Sequence, residues 1–573
     1  MTQTGPLPDN RNPLPPAARS IWLLLIVATL YFSYFHNLGG IGLVGPDEPR
    51  YAWIARAMAE TGDWVTPRLY GKPWFEKPAL YYWGAALSFK WFGVSAASAR
   101  LPSALAALLA TLSVAWLAWQ LYGAETARWV LLLLPTTVGM IGFSHAAATD
   151  MPFAGMLTIA MVCAGVIVGL VPGSRDSAWW RLPWLLLFGF FLGLAVLAKG
   201  PAAIVLSGGG LLLWAASTKR WRDALGCLHP AAMVAFSVTT LPWYIFCARR
   251  NPDFFRVFII EHNFKRYLTP EFQHIQPVWF YIPVVLIAML PWSLILVWSM
   301  VSGISRLRRN GSVSASAAFW LCSAGFCLLF FSLSRSKLPG YVLPAIPPIG
   351  LLLARSFVRF SKESPKSLRW VTLAFAMVVL PVGITLIIIG TRFHASQSTG
   401  EGMVVGSCVL FAFALANLFL SFRSEGFPYA ALSVLPVLLL IVEFRALIHP
   451  WFSPDPSGRT IAAELAAKQI PADRLYAGAM NRGQLYSLSF YLHREIGQWE
   501  EARANPGFLL VRSRDCARLV RPPLRCADPP IELPRSGWFV YRVEAGESVG
   551  GFDHLGGLGV SSRGGHRVDR QPR

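Results

Sequence analysis

SIWLLLIVATLYFSYFHNLGGIGL, residues 20–43, runs almost directly into GPDEPRYAWIARAMAETGDWVTPRLYGKPWFEKPALYYWGAALSFKWFG, residues 45–93. The first stretch is apolar throughout and long enough to cross the ~30 Å hydrocarbon layer as a helix. It lacks a small-residue cleavage site, so it reads as a retained first span. The second stretch is not an ordinary connector. Tyr51 to Glu60 has helical spacing, with Ile54, Ala55 and Met58 on one face, and Pro78 to Phe92 is apolar and aromatic. Both pieces fit amphipathic helices lying in the interface, joined through GDW and the turn YGKPWFEKP.

Outward from there the apolar blocks recur. The expected spans are 20–43, 99–121, 127–146, 151–171, 183–198, 201–217, 230–248, 279–301, 316–333, 340–357, 369–391, 403–422 and 426–446, about 13 helices. Composition agrees: the 573 residues are 54% hydrophobic and 14% charged, with mean hydropathy +0.46, where soluble domains average about 25% charged. The fold class is an all-α polytopic membrane protein with a small C-terminal α/β domain. Residues 1–19 are expected as a disordered cytoplasmic arm, 20–446 as the membrane domain, 447–548 as a small outer domain and 549–573 as a disordered Gly/Arg-rich tail.

The net charge of +21 does not argue for nucleic acid, because many Lys and Arg lie in short loops between apolar blocks. Arg175 and Arg181, Lys219, Arg220 and Arg222, Arg306, Arg308 and Arg309, and Arg359, Lys362, Lys366 and Arg369 fall on alternate loops with the N-terminal arm, the cytoplasmic pattern. The long loops 44–98 and 249–278 then lie outside, as does the tail. Of the eight Cys, six sit in or beside apolar spans as packing residues. If the tail is extracytoplasmic, Cys516 and Cys526 can pair as a disulfide. No CxxC or His-rich signature and no Rossmann glycine pattern occurs, so neither a nucleotide cofactor nor a nucleotide-sugar site is expected.

Asp47 and Glu48 follow the first span. As carboxylates near the membrane surface they suit general base or ligand roles; as acids in a first helical turn they suit capping. Asp150, opening a span from the outer side, suits a helix cap. Glu76-Lys77 reads equally as a surface pair. The outer side also holds Lys77, Lys199, Arg335 and Lys337 at helix ends, and Arg249, Arg250, Arg256, Lys265 and Arg266 in the second long loop. Short outer loops are normally poor in cations. Either these chains snorkel to ordinary anionic lipids, or they converge on a lipid phosphate at headgroup depth; the convergence from several loops favours the phosphate.

The ordered string DEPRYA…GDWVTPRL…FEKPALYYW resembles the first periplasmic loop of bacterial polyprenyl-phosphate-sugar glycosyltransferases, the aminoarabinose transferases of lipid A and their protein mannosyltransferase relatives. LAKGPAA (197–203), NPDFFRVFIIEHNFKRYL (251–268) and SKLPGYVLPAIPP (336–348) continue the resemblance over most of 20–350. It implies a GT-C fold in the bacterial inner membrane with the active site facing the periplasm. The implied donor is undecaprenyl-phosphate-sugar, and the implied acceptor is lipid A or another envelope molecule. It further implies that Asp47, Glu48 and Asp150 are catalytic, Asp47 orienting or deprotonating the acceptor. Lys77, Lys199, Arg266, Lys337 and Tyr341 would bind phosphate. Glu76 and His262 would meet at a divalent metal, Zn or Mg/Mn. EHNFKR is one residue longer than in the aminoarabinose transferases, which leaves Lys265 and Arg266 as alternatives; Arg266 is assigned. The expected reaction is single displacement with inversion, the carrier phosphate leaving.

A lipid-linked sugar flippase also needs many helices and a phosphate site, but would place ionisable groups at mid-membrane and show repeats; here charge gathers in outer loops. A non-catalytic scaffold leaves loop 44–98 unexplained. Transferase relatives with another sugar, or with a protein or cell-envelope glycan as acceptor, stay open.

Overall fold

The computed structural model describes residues 16–173, 178–265, 275–310, 312–363, 457–499 and 506–545, apart from single side chains and short gaps. The expected spans 369–391, 403–422 and 426–446 lie outside the described residues, a few isolated positions aside, as do both termini.

The chain divides into two compact units, one of 1–470 with 481–496, the other of 471–480 with 497 onward. In the first, α1 (Pro16–Tyr34) is followed by the outer-loop helices α2 (Asp47–Thr61) and α3 (Leu80–Phe92), which embrace a two-residue hairpin of β1 (Arg68–Leu69) and β2 (Lys72–Pro73). Both hairpin-turn residues, Tyr70 and Gly71, have positive φ (51° and 79°), the conformation that matches the twist of tight hairpins.

Then come α4 (Ala96–Tyr122), α5 (Ala124–Leu133), α6 (Val138–Ser144), α7 (Asp150–Ile167), α8 (Ala178–Lys199), α9 (Ala202–Thr218), the short α10 (Trp221–Leu225) and α11 (Pro230–Arg250). A π-helical stretch over Arg256–Lys265 follows, with α12 (Tyr281–Ala288), α13 (Ser293–Asn310), α14 (Ala315–Leu333) and α15 (Ile346–Glu363). Six described helices are long and apolar enough to cross a membrane, and up to eight spans result if two bent pairs each count once. Large apolar side chains such as Leu186, Leu212, Ile245 and Leu329 stay exposed around the bundle, as a lipid-facing surface requires. This is a multi-pass membrane protein.

Several expected spans are interrupted. Helix α1 ends at Tyr34, before Gly39 and Gly40. The expected span 127–146 breaks at Pro135 into α5 and α6, bent by 62°, and 279–301 breaks at Pro291 into α12 and α13, bent by 118°. Proline removes a backbone donor and opens the ladder, and in lipid the opened groups need partners. The two breaks supply each other: Val138 N donates to Leu290 O (3.0 Å) and Trp292 Nε1 to Thr136 Oγ1 (2.9 Å).

Helix α7 is buried along nearly its whole length. Its Gly155 approaches α4 so closely that a Cβ would sit 2.8 Å from Ala106 O, the close backbone packing that small residues permit between membrane helices. The helix ends sort into two sets. Lys362 pairs with Glu125 (2.8 Å) and Arg220 donates to Val168 O (2.7 Å) at one end; Asp150 meets Lys199 (2.6 Å) at the other. The alternation is the one predicted from loop charge.

Near the C-terminus, α16 (Arg459–Ala467) and α17 (Arg482–Leu492) belong to the membrane unit, so the units do not divide at residue 447. The second unit is a six-stranded sheet of β3 (Leu475–Ala477), β4 (Gly497–Gln498), β5 (Gly507–Val511), β6 (Leu524–Cys526), β7 (Ile531–Leu533) and β8 (Trp538–Ala545), ordered β4-β3-β5-β8-β6 with β7 also on β8. Cys516 and Cys526 form a disulfide in it.

Candidate active site

Helix α2 begins at Asp47 after Pro46, and neither of its first two acids caps its own helix. Consecutive helical residues point about 100° apart, so the two part company. Glu48 turns inward, its side chain 10% exposed. One oxygen accepts Val44 N (2.9 Å), the other Ala147 N (2.7 Å), and Arg100 grips both through Nε (2.9 Å) and Nη2 (2.7 Å). The remaining Arg100 donors go to Leu38 O, Ile41 O and Gly42 O at 2.8–2.9 Å. All five guanidinium N–H groups are thus used. Glu48, read from the sequence as a candidate catalytic acid, is a closed structural tie instead: its oxygens are saturated, and it fastens the start of α2 to α4 and to the turn before α7.

Asp47 turns outward, its side chain 55% exposed, and pairs with Arg50, which is 8% exposed. Arg50 also donates to Pro46 O (2.8 Å) and contacts Glu76 (3.2 Å), itself 11% exposed. Lys77 Nζ stands 3.8 Å from Glu76. The rings of Trp74, Tyr486 and Tyr51 lie 5.5, 5.7 and 5.8 Å from the guanidinium carbon. Burial opposes the Arg50 charge, but Glu76, Tyr51 and Asp47 together outweigh it and hold the guanidinium firmly protonated. Burial, then Glu76 and Asp47, push the Tyr51 hydroxyl well up; burial and Glu76 do the same to Tyr82. Tyr82 Oη and Trp74 Nε1 are buried without a hydrogen-bond partner among the described residues.

Asp150 is the first residue of α7; its carboxylate accepts from Lys199 Nζ (2.6 Å). That ammonium lies 4.8 Å from the Tyr341 ring centroid and 5.6 Å from Phe153. The approach depends on Gly340, where a Cβ would fall 2.7 Å from Asp150 Oδ1 and 2.9 Å from the Phe143 ring. Asp150, Lys199 and Tyr341 are thus brought together in one cluster, joining a residue expected as a catalytic acid to two expected at the phosphate. Ala147, bonded to Glu48, is three residues from Asp150, so at most ~11 Å of chain separates that tie from the second cluster.

Lys337 is buried. Its amine donates to Gln276 O (3.0 Å) and Ser334 O (2.5 Å), and burial lowers its pKa. It pins one loop to another rather than opening toward the site. Arg266 and the side chain of His262 lie outside the described residues. Among the described residues no three His, Cys, Asp or Glu cluster as a metal site. Glu76, the described member of the expected Glu76–His262 pair, faces the cations Arg50 (3.2 Å) and Lys77 (3.8 Å).

Sequence reasoning passed over Arg50, Arg100, Tyr82 and α17. An ionisable residue inside the expected span 99–121 was a legible signal for Arg100, and Arg50 one turn after Asp47 was another. Nothing in the sequence placed α17 beside either.

Among the described residues, charged side chains of the helical bundle converge on outer loops at one end, and the relatives of the chain define its class: a membrane glycosyltransferase. Residues 19–258 match the family model of dolichyl-phosphate-mannose-protein mannosyltransferases. An undecaprenyl phosphate-α-4-amino-4-deoxy-L-arabinose arabinosyl transferase of Edwardsiella ictaluri is 30% identical over 434 residues, 73% of this chain and 76% of the relative. One from Pseudomonas aeruginosa is 35% identical over 348 residues, 60% of each chain. The fold matches crystalline ArnT from Cupriavidus metallidurans bound to undecaprenyl phosphate, with TM-score 0.74 and 24% identity over 93% of this chain and 99% of that one. The chain belongs to the family of undecaprenyl phosphate-aminoarabinose arabinosyl transferases.

Proposed function

We propose that the protein transfers 4-amino-4-deoxy-L-arabinose from undecaprenyl phosphate to lipid A on the periplasmic side of the bacterial inner membrane. One observation carries the assignment of roles: at the opening of α2, Asp47 is half-exposed while Glu48, Arg50 and Glu76 around it are buried. A reactant reaches this cluster at Asp47.

An acceptor oxygen attacks the anomeric carbon as the bond from that carbon to the carrier phosphate breaks. The configuration inverts, and the bonding pair leaves on undecaprenyl phosphate. Negative charge grows on that phosphate, so cations placed beforehand favour the transition state. Lys77, Lys199 and Arg266 supply them, and the Tyr341 hydroxyl adds a donor. Lys337 holds the loop that carries Tyr341. Asp47 orients the acceptor and takes its proton where the acceptor is a hydroxyl; a phosphate acceptor is already ionised, and Asp47 then positions it or the sugar amine. Asp150 sets the Lys199 ammonium against Tyr341.

The test is mass spectrometry of lipid A and total glycolipids from cells with the gene product, without it, and with Asp47→Asn. Loss of aminoarabinose from lipid A in both the null and the variant supports the reading. Unchanged lipid A with a sugar missing elsewhere moves the acceptor. Loss of the sugar with intact donor accumulating on the cytoplasmic rather than the periplasmic leaflet makes the protein a flippase.

A further inference from the structure

Helix α17 is fixed against the turn that carries Asp47. Ser487 Oγ donates to Leu43 O (2.7 Å), and Leu43 N donates to the Tyr491 hydroxyl (3.0 Å). A Cβ on Gly483 would lie 2.9 Å from the Gly45 carbonyl carbon. The position of Arg482 and Tyr486, one turn apart on α17, is therefore set relative to Asp47, two residues after Gly45.

Arg482 is exposed. Its Nε donates to Tyr486 Oη (3.1 Å), and its guanidinium carbon lies 5.4 Å from that ring. Arg50 approaches the same ring to 5.7 Å. Among the described residues Arg482 pairs with no carboxylate, whereas the exposed Arg250 and Arg256 of the second long loop are paired with Asp63, and with Asp253 and Glu261. A guanidinium held by an aromatic ring keeps a stiff fork of donors suited to phosphate. The Tyr486 hydroxyl, accepting from Arg482, retains its own proton to donate.

We propose that Arg482 and Tyr486 bind a phosphate on the headgroup of the acceptor glycolipid, one that is not itself the reacting group, and thereby select the acceptor. The inference rests on the transferase reading above and extends it to the acceptor side. The carrier phosphate is the other phosphate in the reaction, and it falls to the lysine clusters. The exposed Arg482 and the buried Arg50 both approach the Tyr486 ring, and Arg50 pairs with Asp47.

Full-length enzyme in liposomes, supplied with undecaprenyl-phosphate-aminoarabinose and a disaccharide glycolipid bearing one phosphate or two, tests this. Arg482→Ala is expected to lower kcat/KM for the two-phosphate acceptor about tenfold, through KM, as loss of an exposed charged hydrogen bond predicts. It should reduce the preference over the one-phosphate acceptor and leave donor KM unchanged. Arg482→Lys should restore part of the preference, and Tyr486→Phe, which keeps the ring, should lose part of it. Equal losses on both acceptors, or a raised donor KM, overturn the proposal. If the wild-type enzyme uses neither acceptor, the transferase reading itself fails, and this result is distinct from a lost preference.

Discussion

Two neighbouring carboxylates at the start of α2 do opposite work. Glu48 sits in a closed network in which both its oxygens and every Arg100 donor are matched. Asp47 sits in an open one, where Arg50 pairs with it, its side chain is half-exposed, and buried donors on Tyr82 and Trp74 lack partners among the described residues. A closed polar network fixes geometry; an open one leaves groups to be satisfied by what binds. The difference separates the scaffold of the site from its working surface, although the two acids are adjacent in sequence.

Exchanging one oxygen for nitrogen on each side gives the largest expected contrast. Asp47→Asn should lower turnover by about 10²–10⁴-fold if the carboxylate handles a proton, with the unfolding temperature in detergent unchanged, because Arg50 keeps Glu76 and Pro46 O. Glu48→Gln should do the reverse. It leaves Arg100 buried without its charge partner, a loss of about 3–5 kcal/mol, seen as a lowered midpoint and less folded protein, with per-molecule turnover largely kept. Equal midpoints for the two variants would erase the distinction.

Much of this was legible beforehand. The helices at 51–60 and 78–92 and the alternation of loop charge follow from apolar spacing and cation placement. What was not legible depends on contacts distant in sequence. Whether Asp47 or Glu48 faces outward is decided by Arg100, 52 residues beyond Glu48, and by the Ala147 amide. Span continuity was misjudged at Pro135 and Pro291, because hydropathy does not register a broken ladder whose loose ends are satisfied by each other. The place of α17 is set by hydrogen bonds to Leu43 across more than 400 residues, which no local pattern encodes.

A smaller effect probes the second cluster, where packing decides. Gly340→Ala puts a methyl 2.7 Å from Asp150 Oδ1, with the Phe143 ring behind it. Overpacking of this kind costs about 1–3 kcal/mol, and either Asp150 or the 339–341 turn must shift. Turnover should fall about tenfold, within that energy range, while the Glu48 network stays intact. Restored activity on trimming the ring with Phe143→Leu in the same chain would identify crowding as the cause. An unchanged rate in Gly340→Ala would mean that the spacing between Tyr341 and Asp150 does not matter to the reaction.

The smallest effect bears on whether the open network is completed by substrate. Tyr82 has a buried hydroxyl without a partner among the described residues, so Tyr82→Phe should change neutral-pH stability by no more than about 1 kcal/mol, and in the stabilising direction. Burial, then Glu76, raise its pKa well above the ordinary 10.0. The folded state therefore keeps a proton that the unfolded chain gives up near pH 10. That contribution is fully present below pH 10 and is lost as pH rises beyond it. The variant should lose stability less steeply above pH 10 than the wild type. If turnover at neutral pH also falls while stability does not, the hydroxyl serves bound substrate and Tyr82 belongs to the working surface. If turnover is unchanged, the hydroxyl belongs with Glu48 on the side of the scaffold, and the open network narrows to Asp47, Arg50 and Trp74.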